Sequence, residues 1–318
     1  LSSIISIILV LYFNMSFRGI IFGNTIALFL VLIVLVLLNF KFISIRKLKI
    51  KFLLKVVKFS FPFLPEALMW YLFSFADRWF ILKILGEKDL GIYALGAKIG
   101  LLLILATQAF RLSWTPFAMK KLKVSIKGRI FSEMSRYYLG FTSILALTLT
   151  FFSKLLLFFL TTEKFYESYI IIGPMAIQTI LSSFNLIIGV GILKKEKTYL
   201  FPICLFFGVL SNIIFNYYLI PIYGILGAAT ASVFAYVIWN ISIFVISTKI
   251  WPIEFPKLRI ILIFITLCAG VMLLTLLLHH ETSYMFLSLV LLFFTLLLIF
   301  ETLTKDEITK IILFLKNV

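Results

Sequence analysis

The sequence predicts an all-α membrane protein, a polytopic helix bundle with about ten transmembrane helices. Three observations lead to this fold class. Hydrophobic residues make up 63% of the chain and charged residues 14%, against roughly 45–50% and about 25% in soluble domains. Ten apolar runs follow one another, most of them long enough to cross about 30 Å of hydrocarbon. The basic residues collect in alternate connections between these runs.

The apolar runs define the elements in order. They lie near 1–13, 20–40, 59–84, 92–118, 137–160, 168–193, 199–219, 225–247, 259–278 and 284–300. Each is expected to be a helix, because lipid offers no hydrogen-bonding partner to backbone amides and carbonyls. The first run is short and starts in the middle of apolar sequence. We therefore expect the chain to be the carboxyl-terminal part of a longer protein.

The basic residues predict the orientation. Of the 30 Lys and Arg, 22 lie in one set of connections, at 41–58, 119–136, 194–197, 249–259 and after residue 300, and three lie in the alternate set. Positive residues are retained in the cytoplasm, so we expect a multi-pass protein of the cell inner membrane with a cytoplasmic carboxyl terminus. The net charge of +17 is then a topology signal, and no nucleic-acid partner is expected.

The segment 41–58 mixes seven basic residues with Phe, Ile and Leu. This composition is typical of an amphipathic helix that lies in the anionic cytoplasmic leaflet. We expect it to bind membrane lipids and to join two helix bundles.

Ionisable residues concentrate in the third and fourth runs, at depths where a charge is costly and faces an interior cavity or a partner. The acids are Glu66 and Asp77, and the bases are Arg78, Lys83, Lys98 and Arg111. If these two runs form an antiparallel hairpin around 86–91, Asp77 lies at the same membrane depth as Lys98, and Glu66 at the same depth as Arg111. The two acids should share a helix face, since 11 residues make about three turns.

Two interpretations of these charges stay open. The excess of bases over acids predicts a cationic cavity for an anionic substrate, and Arg and Lys are suited to phosphate. Alternatively, the level pairs are interhelical ion pairs that stabilise the bundle, while Lys83 extends toward the membrane surface.

Catalytic chemistry has little support in the sequence. It lacks a Ser/His/Asp set, a phosphate-binding P-loop and a dinucleotide-binding glycine pattern. His279 and His280 stand apart from carboxylates and cysteines at ligand spacing, and Cys204 and Cys268 lie within apolar runs. We expect no enzymatic activity, no metal and no cofactor.

Two segments carry a resemblance to a known family. The first runs from Pro62 to Pro116 and includes Asp77-Arg78, the segment 91–99 and the segment 108–117. The second contains Asn212 and Asn216 followed by the segment 219–231. Together they resemble the polysaccharide-biosynthesis flippases, or O-antigen flippases, of the multidrug/oligosaccharidyl-lipid/polysaccharide exporter superfamily. The resemblance spans residues 55 to about 247.

The resemblance implies a two-bundle transporter of which this chain is the carboxyl-terminal part. Residues 1–40 would be the last two helices of the first bundle, and 41–58 the linker. Residues 59–247 would form the second, six-helix bundle, and 248–318 two additional helices and a cytoplasmic tail.

The implied function is flipping of undecaprenyl-diphosphate-linked oligosaccharide units across the membrane for surface polysaccharide biosynthesis. Such a protein would contact the polysaccharide polymerase machinery. With this function, we expect Arg78, Lys98 and Arg111 to bind the substrate's diphosphate or acidic sugars. Glu66 and Asp77 would hold these bases in place or carry the coupling proton or ion.

Three alternatives remain. A cation-coupled drug antiporter of the same superfamily is disfavoured by the net positive charge of the third and fourth runs. A membrane glycosyltransferase or polymerase that acts on the same lipid-linked sugars should have a hydrophilic loop with an acid cluster, and the connection near 119–136 is basic instead. A non-transporting assembly scaffold is the third.

Overall fold

The computed structural model describes residues 2–12, 15–40, 50, 53–54, 57, 63–123, 128–280, 282–304 and 307. All regular structure in this part of the chain is helical, which confirms the all-α class. The chain divides into two compact units, residues 1–61 and 62–318.

Among its described residues, the first unit has two helices with defined bounds, α1 (Ser2–Leu11) and α2 (Ser16–Asn39), which pack against each other. Their approach is closest at Gly23, where an added Cβ would lie 2.3 Å from the Ser6 hydroxyl oxygen. The predicted amphipathic linker over 41–58 falls almost wholly outside the described residues.

Within the described part of the chain, the second unit contains ten α-helices and two short 3-10 segments. The helices are α3 (Phe63–Ile84), α4 (Glu87–Gly100), α5 (Ile104–Lys123), α6 (Arg129–Phe151), α7 (Ser153–Leu160), α8 (Tyr169–Ile188), α9 (Val190–Lys194), α10 (Leu200–Ile250), α11 (Lys257–His279) and α12 (Tyr284–Thr302). The 3-10 segments are Leu101–Leu103 and Glu163–Ser168.

Helix α8 lies at the centre of the second unit. It packs against α4, α5, α6, α10 and α11, and most of its residues are buried. Helices that are apolar all round are those that become buried on all sides. Ile172, Ile180 and Ile187 are fully buried along its length, so α8 forms the core on which the other helices assemble.

Helix α10 is a hairpin of two antiparallel arms, 200–223 and 225–250. Its backbone leaves helical geometry at Gly224, with φ 59° and ψ −138°, a conformation that glycine adopts without a Cβ penalty. The Asn212 amide nitrogen lies 3.2 Å from the Ser232 hydroxyl. Twenty residues of straight helix would separate them by about 30 Å, so the chain reverses between them.

Small residues close this hairpin. An added Cβ at Gly227 would lie 2.2 Å from the Leu219 carbonyl oxygen, and Ala228 and Ala229 are fully buried. These small residues therefore form a helix-packing surface between the two arms.

Helices α11 and α12 pack on α6 and contribute Leu267, Leu274 and Leu298 to the main hydrophobic core. The two carboxyl-terminal helices thus belong to the same compact unit as 62–250. The end of α12 is held by the buried Arg136, which donates to the Thr302 carbonyl at 2.7 Å.

Arg136 also pairs with Glu307 at 3.3 Å. Burial raises the pKa of the Glu307 carboxyl, but hydrogen bonds from Tyr137, Thr304 and Arg136 outweigh it and lower the pKa to about 2. Glu307 is therefore ionised at neutral pH, and it joins the start of α6 to the chain that follows α12. The rest of the predicted tail, 305–306 and 308–318, lies outside the described residues.

Within the described residues, six helices are long and apolar enough to cross a membrane, or seven if the bent pair α6 and α7 forms one span. This is the architecture of a multi-pass membrane protein, and the count falls short of the ten spans predicted. Helix α1 has only ten residues, and α3 carries four ionisable residues. The runs 199–219 and 225–247 are the two arms of α10, which this count takes as a single helix although the chain reverses at Gly224.

We expect Gly227→Ala to destabilise the second unit, because the added methyl group would overlap the Leu219 carbonyl. Overpacking of this kind costs about 1–3 kcal/mol. Gly91→Ala is the matched control, since its Cβ would meet only Phe165 at an ordinary 3.7 Å. Thermal unfolding in detergent should show a lower midpoint for Gly227→Ala alone. Equal midpoints for both variants would contradict the close hairpin.

Candidate functional site

The side chain of Asp77 is the centre of a buried polar cluster in the second unit. It lies on α3 between two apolar stretches and is only 5% exposed. A carboxylate at this depth is costly unless the protein satisfies it. Asp77 is therefore the first residue to examine for function.

Four neutral side chains donate hydrogen bonds to Asp77. Asn212 and Asn216 donate to Oδ1 at 3.0 Å and 2.7 Å. Tyr93 and Ser232 donate to Oδ2 at 2.7 Å and 2.5 Å. Both carboxylate oxygens are thus satisfied without a positive charge.

The four donors come from three different stretches of the chain. Tyr93 lies on α4, Asn212 and Asn216 lie one turn apart on the first arm of α10, and Ser232 lies on the second arm. The reversal at Gly224 is what brings Ser232 back beside Asn212. The site exists only because α3, α4 and both arms of α10 meet at Asp77.

The cluster contains more oxygen acceptors than its donors fill. The Asn212 side-chain oxygen accepts from Asn216 at 3.1 Å. The Asn216 side-chain oxygen is buried and has no hydrogen-bond partner among the described residues. Carboxylate, amide and hydroxyl oxygens together are the ligands that hard cations prefer. The cluster can therefore take up a proton on Asp77 or a small cation between its oxygens.

The three bases predicted to bind substrate do not face Asp77. Arg78 donates through Nη1 to the Ser74 carbonyl at 2.9 Å and lies 5.3 Å from the centre of the Phe75 ring. Lys98 on α4 and Arg111 on α5 are both exposed. Among the described residues the ion pairs are Arg129–Glu133 and Arg136–Glu307, so none of these three bases has a described carboxylate partner.

The predicted level pairing of Asp77 with Lys98 is wrong. Helix α3 packs mainly against α10 rather than against α4, and the residue of α4 that reaches Asp77 is Tyr93. Five residues correspond to about 140° around a helix, so Lys98 lies on a different face from Tyr93. Tyr93, Ala97 and Gly100 form the buried face, and Lys98 is left outside.

The second predicted pair, Glu66 with Arg111, lies only partly within the described residues. Glu66 lies in α3, but its side chain falls outside the described residues. Arg111 is exposed, and its carbonyl accepts from Thr115 at 2.8 Å. Lys83 is also exposed, at the end of α3, where its side chain can extend along the helix surface.

Sequence reasoning missed Tyr93 and Ser232 and treated Asn212 and Asn216 only as part of a family resemblance. One signal was available: two amides four residues apart in an otherwise apolar run lie on one helix face and need a polar partner. Tyr93 and Ser232 gave no such signal, because a tyrosine or serine in a membrane helix is common without function.

Comparison with models of protein families, with curated proteins and with solved structures gave no match for this chain. The arguments about its function therefore rest on its own residues.

We expect Tyr93→Phe to destabilise the protein by about 1.5–3 kcal/mol, because it removes one of the two hydrogen bonds to the charged Asp77 Oδ2. The change removes one hydroxyl and keeps the ring. Tyr71→Phe is the matched control, because Tyr71 lies on α3 with its side chain 60% exposed. The measurement is the thermal unfolding midpoint of both variants in the same detergent. Equal shifts would show that the Tyr93 hydroxyl does not support the Asp77 cluster.

Proposed function

We propose that this chain is part of a transporter that flips polyprenyl-diphosphate-linked oligosaccharides from the cytoplasmic to the outer leaflet. One observation carries the proposal: the acid and the bases of α3, α4 and α5 are segregated. Asp77 is satisfied by neutral donors inside the unit, and Lys98 and Arg111 are exposed.

This segregation leaves positive charge that no described acid cancels. Cations within membrane helices are retained where they line a polar path or meet a partner of opposite charge. A diphosphate is such a partner, since Arg holds its oxygens in a bidentate manner and Lys acts as a compact point charge. Arg78, Lys98 and Arg111 would then bind the diphosphate or acidic sugars, with α3, α4 and α5 presenting them.

We propose that Asp77 couples transport to a proton or cation gradient. Its site joins α3 to both arms of α10 through hydrogen bonds that depend on the charge of the carboxylate. Protonation or cation binding would redistribute these bonds and so change how α10 packs on α3. Glu66 lies 11 residues before Asp77, or about three turns, so the spacing predicts that the two acids share a face of α3. We therefore assign Glu66 the same class of role.

A cation-coupled drug antiporter is the second candidate, and the Asp77 cluster is the observation that favours it. A buried carboxylate without a described cation partner suits a cationic substrate as well as a coupling ion. The exposed bases disfavour the drug antiporter, because they would repel a cationic drug.

The gene that encodes this chain should restore surface polysaccharide in a strain that lacks a polysaccharide flippase. We expect Lys98→Gln and Arg111→Gln to reduce export by about tenfold or more, since a hydrogen bond to a charged group contributes about 1.5–3 kcal/mol. Lipid-linked repeat units should accumulate at the same time. Lys83→Gln is the matched control, another exposed base of the same region, and should export normally.

Protein levels of all variants should be equal in the membrane fraction. Normal export by both Lys98→Gln and Arg111→Gln would refute the binding assignment. Resistance to cationic dyes, without any effect on lipid-linked units, would favour the drug antiporter instead.

We expect Asp77→Asn to abolish the response of transport to an imposed gradient. The change keeps the size of the side chain and removes its charge. In proteoliposomes, wild-type transport should accelerate when a proton or sodium gradient is imposed, and the two gradients applied separately identify the coupling ion. The exposed Glu87→Gln is the control. An unchanged gradient response in Asp77→Asn, with substrate affinity intact, would exclude the coupling role.

A further inference from the structure

A second site lies in the second unit, apart from Asp77. A cavity of about 320 Å³ opens between the second arm of α10 and α11. Its floor is formed by α6 and α8, through the buried residues Leu139, Leu181 and Phe184. This volume falls within the range of about 300–1,000 Å³ that small-molecule sites occupy.

The cavity is a groove that opens to the outside of the bundle. Ile241 on α10 and Ile261 on α11 line it and are 55% and 53% exposed. Apart from Asn240 and Lys257, every residue that lines the groove is apolar. In a membrane, an open apolar groove of this shape accommodates a hydrocarbon chain.

One end of the groove is positively charged. Lys257, the first residue of α11, lines it, and its ammonium group lies 5.9 Å from the centre of the Phe244 ring. The segment 249–259 carries Lys249, Lys257 and Arg259 against the single acid Glu254. The basic connections predict that this end of the bundle faces the cytoplasm, where the leaflet is rich in anionic lipids.

A second polar feature lies near Lys257. Asn240 is 6% exposed and donates through Nδ2 to the carbonyls of Leu181 and Tyr236. Asn240 is one of the residues that line the groove, and its side-chain oxygen is a buried acceptor with no described partner. A buried acceptor of this kind costs free energy until a donor reaches it.

We propose that this groove binds an anionic phospholipid whose headgroup carries a hydroxyl, of the phosphatidylglycerol type. One acyl chain occupies the apolar groove, the phosphate pairs with Lys257, and a headgroup hydroxyl donates to the Asn240 side-chain oxygen. Asn240 lies one helical turn, about 5.4 Å, from Phe244, and Phe244 is the residue that lies against Lys257. One glycerol headgroup can span the two contacts.

The test measures lipid binding to the purified 318-residue chain by native mass spectrometry, with three lipids of equal chain length. Phosphatidylglycerol has the charge and the hydroxyl, phosphatidic acid has the charge without a headgroup hydroxyl, and phosphatidylcholine has neither feature. We expect binding to fall in that order. Equal binding of phosphatidylglycerol and phosphatidylcholine would overturn the proposal.

Two variants separate the two contacts. Lys257→Gln should weaken both anionic lipids about tenfold, and Lys249→Gln, an exposed base of the same end that does not line the groove, should change them less than twofold. Asn240→Leu should weaken phosphatidylglycerol and leave phosphatidic acid unchanged. Equal effects of the two lysine variants would show nonspecific charge attraction, and an equal loss of both lipids in Asn240→Leu would exclude the hydroxyl contact.

A third measurement needs no variant. Phosphatidylglycerol with a photoreactive group in its acyl chain should crosslink the wild-type protein, and the modified peptides should contain residues 237–244 or 260–264. Crosslinks confined to other helices would place the lipid elsewhere and overturn the proposal.

Discussion

A carboxylate buried among apolar helices has to be satisfied by the protein, because lipid provides no hydrogen-bond donors. Asp77 meets this requirement with four neutral donors drawn from α4 and from both arms of α10. Each donor fixes the rotation of its helix relative to α3. The packing of these segments is therefore specified by polar geometry, in a region where apolar side chains alone distinguish poorly between alternative helix rotations.

This constraint explains why α10 must reverse at Gly224. Asn212 and Ser232 approach each other only if the two arms run antiparallel, and the reversal requires a residue that tolerates a positive φ. Pro221, one turn earlier, lacks the amide hydrogen that would continue the helix. Gly227 then allows the second arm to pass close to the Leu219 carbonyl. A local turn sequence and a distant acid thus depend on the same geometry.

Much of this fold could be predicted from the sequence, because hydrophobic runs of about 20 residues have few alternatives to helices in a membrane. The pairing of helices could not. The expected level pair of Asp77 and Lys98 assumed that α3 and α4 pack side by side because they are consecutive. Helix α3 instead packs on α10, because the polar side chains that satisfy Asp77 are there, the first of them Asn212, 135 residues further along the chain.

The count of spans failed for a related reason. A hydropathy pattern shows where a chain is apolar, but it does not show that α1 is only ten residues long or that two neighbouring apolar runs are the arms of one hairpin that reverses at a glycine. The candidate site was predicted in part: Asp77 was identified from its cost in lipid. The four residues that donate hydrogen bonds to it were not predicted, since only the folded structure brings them to that acid.

Under the proposed function, the placement of charge would link this architecture to transport. If Asp77 were paired with a base, the acid and the base would neutralise each other, and neither could respond to an ion or bind a substrate. Neutral donors keep the carboxylate available for a proton or cation, and they leave Lys98 and Arg111 exposed for a separate anionic partner. Two sites of opposite charge can then share α3, α4 and α5. A change at Asp77 that shifts α3 against α10 would also move the bases that those helices carry, which is the coupling that a gradient-driven flippase requires.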